Sequence, residues 1–146
     1  MTDEERKLYP LRFCTLEDTY DWGLDAFKVA DLGYRDSLVK EGWLGANTLS
    51  EVMDTYLDRV AGDRVYEVYG RQFPVQLKHI RCHGAMALRA HPCDETARTR
   101  YDALGREKLW YVASAGKNAV LYLGLKEKTD AVSVLDGSFT AKLNAV

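Results

Sequence analysis

The sequence predicts a mainly β, α+β fold. Strand-like segments dominate from Phe73 onward, a strongly amphipathic helix precedes them, and strand-helix alternation is too sparse for a doubly wound α/β protein. Its 146 residues suit one domain, and no internal repeat, low-complexity tract or Pro/Ser-rich linker divides residues 1–146.

The elements follow in chain order. Over residues 47–62, Thr48-x-x-Glu51 forms a capping box, Leu49, Val52, Met53, Tyr56, Leu57 and Val60 recur at helical spacing, and Gly62 supplies a stop. A shorter helical turn is predicted around Val65, Tyr66 and Tyr69, ended by Gly70 and packed beside the first. Strands are predicted over Phe73–Cys82, Met86–His91, Lys108–Ala113 and Ala119–Lys126, all rich in β-branched, Leu and aromatic residues. Gly84, Pro92, Gly116 and Gly124 mark breaks near their ends. Between the second and third strands, Asp94 can cap a helix that turns Ala97, Tyr101 and Leu104 inward and ends at Gly105. Loose helical spacing returns in the tail from Ser133 to Leu143, weakened by Gly137.

Charge and composition exclude several function classes. Twenty Lys+Arg against 22 Asp+Glu leave a net charge of -2, which offers no electrostatic footprint for nucleic acid or an anionic membrane. No apolar run approaches the roughly 18 residues of a membrane span. The start Met1-Thr2-Asp3-Glu4-Glu5-Arg6-Lys7 lacks a signal peptide's apolar core, so the expected location is the cytoplasm. Cys14, Cys82 and Cys93 are odd in number and outside any C-x-x-C pair, which predicts reduced thiols rather than a disulfide framework or a thiolate zinc site. Neither glycine-rich nucleotide-binding loop is present, and Gly42-Trp43-Leu44-Gly45 reads as a turn.

Two groups of residues carry candidate chemistry. His79, Cys82 and His83 suggest a metal, but strand alternation sends His79 and Cys82 to opposite faces. Leu88-Arg89-Ala90-His91-Pro92 is more informative. Arg89 and His91 would share one strand face, Pro92 would end the strand at a pocket rim, and Lys108 would come from the next strand with Trp110 on its own face.

The run Tyr69-Gly70-Arg71-Gln72-Phe73-Pro74-Val75-Gln76-Leu77-Lys78-His79-Ile80 resembles the Tyr/Phe-Gly-x-x-Phe-Pro-Leu-Leu-x-Lys-x-Ile segment of the type I mannose-6-phosphate isomerases. Further segments resemble the family in the same order: Tyr9-Pro10-Leu11-Arg12-Phe13, Trp22-Gly23, Leu44-Gly45-Ala46-Asn47-Thr48-Leu49, His91-Pro92-Cys93-Asp94-Glu95 and Trp110-Tyr111-Val112. The resemblance implies a cupin-like β-barrel or partial barrel with an N-terminal helical layer. It also implies a zinc site for converting mannose 6-phosphate to fructose 6-phosphate. Of the family's zinc ligands the chain retains one histidine, His91, as its implied metal ligand. Lys78 matches a family lysine that lines the active site, where its charge would face the substrate's oxygens; strand statistics alone equally allow a solvated lysine.

Arg89 stands where the family has glutamine, and Lys108 where it has a liganding glutamate. Glu107 is adjacent, but alternation turns it away. A fixed ammonium about 4 Å from a divalent ion is repelled by about 8 kcal/mol at an effective dielectric of about 20, which opposes zinc there. Two readings follow. Arg89 and Lys108 can hold a sugar phosphate or other small anion in the space of the metal, with Lys78 as a third substrate-binding cation, or they can form a salt-bridged plug with carboxylates such as Asp94 or Glu95. The family continues beyond the point where this chain reaches Asn144-Ala145-Val146. The expectation is therefore a fragment, or a barrel completed by a second copy or a partner chain across exposed strand edges, or a shortened relative.

Overall fold

The computed structural model describes residues 7–103, 105–125 and 143–145. The chain divides into two compact units, 1–89 and 90–146. The architecture is α+β.

In the first unit, β1 (Leu16–Tyr20), β2 (Gly23–Val29) and β3 (Leu77–Cys82) form an antiparallel sheet in the order β1-β2-β3. The sheet is open, with β1 and β3 at its edges. β1 and β2 form a tight hairpin in which Tyr20 faces Gly23. The register of the second pair sets Phe27 opposite Lys78 and Asp25 opposite Ile80. The sequence predicts no strand before Phe73, so this hairpin, which supplies two of the three strands, emerges only in the fold. The predicted Phe73–Cys82 strand starts only at Leu77. Pro74 lacks a ladder donor, and the Phe73 amide instead donates to Asp31 Oδ2 at 2.9 Å.

The capping box at Thr48 is present in both directions: Thr48 Oγ1 accepts from the Glu51 amide at 3.2 Å, and Glu51 Oε2 accepts from the Thr48 amide at 2.8 Å. It starts α1 (Leu49–Tyr56), whose Leu49, Val52, Met53 and Tyr56 are buried as their spacing predicts. The predicted helix does not run unbroken to Gly62. Leu57 adopts φ 47°, ψ -120°, so α2 (Asp58–Ala61) is a separate turn, followed by α3 (Asp63–Tyr69). α3 adjoins α2 rather than α1 and contributes no buried residue.

Val39, Leu44, Val52 and Tyr56 form a core cluster, with Leu8, Tyr9, Leu11, Phe13, Trp43 and Val60 packed around it. Trp43 meets Tyr9 and Tyr56 edge-on, at centroid distances of 6.2 and 5.7 Å. Ser37 is fully buried, and its Oγ accepts the Ala30 amide at 2.9 Å. The Arg35 guanidinium pairs with Asp18, which holds its pKa above the ordinary arginine value.

In the second unit, α4 (Asp94–Tyr101) follows Cys93, which takes the N-cap position expected of Asp94. Asp94 and Glu95 lie in its first turn and Arg98 and Arg100 in its last, matching the helix dipole. The helix ends earlier than predicted, because Asp102 takes the left-handed conformation that glycine was expected to supply at 105. Ala97 is buried, but Tyr101 is exposed rather than inward-facing, and Leu104 lies outside the described residues.

Two predicted strands are absent. Residues 85–93 and 106–115 are irregular, and Leu109, Tyr111 and Val112 are exposed. Strand propensity needs a pairing partner to be expressed, and among the described residues no ladder takes up either segment. Of the predicted Ala119–Lys126 strand, β4 (Tyr122–Leu125) forms, and it pairs with β5 (Leu143–Ala145). The rest of the predicted Ser133–Leu143 helix lies outside the described residues, and Leu143 opens β5 instead.

Candidate functional site

The candidate site grows out of the β2-β3 register. Because Asp25 faces Ile80 and Phe27 faces Lys78, Asp25 and Lys78 are diagonal neighbours on one face of the sheet. Lys78 Nζ lies 3.0 Å from Asp25 Oδ2 and 5.3 Å from the centroid of the Phe27 ring. His79, one residue on, takes the other face opposite Ala26.

Arg89 reaches the same carboxylate from the irregular segment after β3. Its Nη1 donates to Asp25 Oδ2 at 2.8 Å. Its Cζ lies 5.0 Å from the Trp22 ring centroid and 5.8 Å from that of Tyr20, and these two rings stack at 4.9 Å. The β1-β2 hairpin thus supplies both the carboxylate and an aromatic bed for the guanidinium.

Charge and burial define what the cluster can do. The Asp25 side chain is only 3% exposed, while those of Lys78 and Arg89 are 22% and 35% exposed. Two cations on one carboxylate leave a surplus of one positive charge, carried on side chains that solvent reaches. Both charge-assisted contacts fall on Oδ2, and Oδ1 is buried with no hydrogen-bond partner among the described residues. A buried acceptor without a donor costs about 1–3 kcal/mol, and among the described residues Lys78 and Arg89 are the groups that compensate the buried carboxylate.

Of the residues singled out from sequence, Lys78 and Arg89 are brought together. The counter-ion of Arg89 is Asp25, not the anticipated Asp94 or Glu95. His91 and Lys108 belong to the second unit, and both are exposed. They do not lie on the strands that were to aim them, since residues 85–93 and 106–115 form none. Sequence reasoning missed Asp25 altogether. Its signal was a carboxylate in phase with Gly23 and Phe27 on the otherwise apolar, buried face of β2.

Among the described residues no group of three or more His, Cys, Asp or Glu gathers as a metal site. His79 and Cys82 sit on opposite faces of β3, and His83 Nε2 lies 3.0 Å from the Asp21 carbonyl oxygen. Among the described residues, those at the implied ligand positions do not make a zinc donor set. His91, the ligand that the resemblance implies, is exposed, and Arg89, which the resemblance aligns with a glutamine, is a guanidinium bound to Asp25. No helix among the described residues is long and apolar enough to cross a membrane.

Comparison with known proteins yields no matching family model, no matching curated protein and no matching solved structure.

Proposed function

We propose that the chain is a sugar-phosphate-binding relative of the type I mannose-6-phosphate isomerases, of cupin lineage, that binds a small anion with little or no isomerase turnover. The single observation that carries this reading is the convergence of Lys78 and Arg89 on one buried oxygen of Asp25. A planar fork and a flexible ammonium, side by side and with one positive charge in surplus, suit a phosphate or carboxylate group. The ordered resemblance along the sequence supplies the sugar-phosphate class. The three free thiols, Cys14, Cys82 and Cys93, support a site of action in the reducing cytoplasm.

Reduced turnover follows from the donor set. Arg89 stands where the resemblance puts the family's glutamine, and its guanidinium beside the Lys78 ammonium can steady an oxyanion without replacing a divalent ion's ligands. In this reading a second copy or a partner chain pairs with the edges of the open sheet.

Calorimetric titration with mannose 6-phosphate tests the proposal, run on the wild type, Arg89→Gln, Lys78→Gln and Lys108→Glu. The expected result is saturable binding that weakens at least about tenfold in Arg89→Gln and Lys78→Gln, a charged contact being worth about 1.5–3 kcal/mol. Unchanged affinity in both variants overturns the site. A coupled assay for fructose 6-phosphate with added zinc tests the activity clause, and robust turnover with stoichiometric zinc overturns it.

A further inference from the structure

We infer that Asp25 is the resident counter-anion of the Lys78–Arg89 pair, an internal competitor that weakens the site for outside anions and weakens it most for doubly charged ones. The inference rests on the anion-site reading above and adds its regulation.

Three observations carry it. Both cations spend a contact on the same oxygen, Oδ2, at 3.0 and 2.8 Å. Asp25 is held inside a strand and is 2% exposed, so it cannot swing out to make room. Its other oxygen has no donor among the described residues, so the two cations that would receive a ligand are the ones that hold this carboxylate.

The consequence is electrostatic. A fixed negative charge beside the two cations lowers the positive potential that an arriving anion meets. Removing that charge raises the potential by a set amount, and the gain in binding energy is that amount multiplied by the ligand's charge. The desolvation cost of a given ligand is common to wild type and variant, so it cancels in the comparison. The factor by which a dianion gains is therefore the square of the factor by which a monoanion gains.

The probes are sulfate, doubly charged at any pH near neutrality, and nitrate, singly charged, each titrated into the wild type and Asp25→Asn at fixed ionic strength. Asp25→Asn is expected to bind nitrate about threefold more tightly and sulfate about tenfold more tightly, after screening by solvent and salt. Equal or weaker binding of both ions by Asp25→Asn overturns the inference, as does the same factor for each. Should Asp25→Asn fail to fold, Asp25→Ser, which also removes the charge, is titrated in its place, with the same two factors expected and the same results overturning the inference. The two readings fail separately. Sulfate binding that Arg89→Gln and Lys78→Gln weaken, with no gain in Asp25→Asn, removes only the role of Asp25, whereas no binding by either protein removes both.

Discussion

Gly23 lies so close to Arg81 that a Cβ at residue 23 would collide with the Arg81 carbonyl oxygen. The obstacle is backbone of the adjacent strand, which cannot move without opening the β2-β3 ladder. Gly23 also has φ 151°, where side-chain-bearing residues rarely sit. Gly23→Ala is expected to cost at least about 2 kcal/mol and to loosen the hairpin that carries Asp25. The midpoint of urea unfolding measures it, and wild-type stability would refute the close approach.

Lys78 and Arg89 back each other up, since either alone leaves Asp25 with one cation. Lys78→Gln and Arg89→Gln are each expected to destabilise modestly. The double variant, which strands a buried carboxylate, is expected to lose about 1–3 kcal/mol more than the two single losses combined. A double-mutant cycle by chemical denaturation gives this coupling directly. Simple additivity would mean that the two cations do not share the burden.

The reciprocal hydrogen bonds of Thr48 and Glu51 make the start of α1 sensitive to a single hydroxyl. Thr48→Ala is expected to lower stability by about 1 kcal/mol, because the Glu51 amide loses its acceptor while the core face of the helix is untouched. Thr48→Ser retains the oxygen and is expected to recover most of the loss. Thermal unfolding of the two variants separates the cap from side-chain packing.

Cys93 is exposed at the head of α4, and the hydroxyl of Thr96 lies 3.3 Å from its sulfur. Hydrogen bonding to Thr96 holds its thiol below the ordinary cysteine pKa, with the Glu95 charge opposing in part. The thiolate is the reacting species, so a lowered pKa moves the onset of alkylation to lower pH. Thr96→Val removes the principal cause and is expected to shift the onset at Cys93 to higher pH. Iodoacetamide labelling against pH, read by peptide mass mapping, reports it; an unmoved profile would assign the effect elsewhere.

What sequence could reveal was local. The helix start at Thr48 was legible because its partners lie three residues apart, and the burial of Leu49, Val52, Met53 and Tyr56 follows from one turn's spacing. The β1-β2 hairpin was illegible because Leu16-Glu17-Asp18-Thr19-Tyr20 and Gly23-Leu24-Asp25 are rich in residues depleted from strands. Pairing overrides that propensity. The opposite error occurred at Met86–His91 and Lys108–Ala113, where favourable residues met no partner strand among the described residues. Lys78 and Arg89 were found as cations, but Asp25 lies 53 and 64 residues away from them, a separation that the β2-β3 register closes for Lys78 and the irregular segment after β3 closes for Arg89.

The placement of the Arg89 guanidinium across Trp22 also makes the hairpin an optical gauge of its own cation cluster. Indole emission responds to a nearby charge, so any event that draws Arg89 off the ring changes the colour or brightness of Trp22. Trp43, in edge contact with Tyr9 and Tyr56, and Trp110 also emit, so Trp43→Phe and Trp110→Phe isolate the Trp22 signal. Under the anion-site proposal, Trp22 is the native dye that reports occupancy.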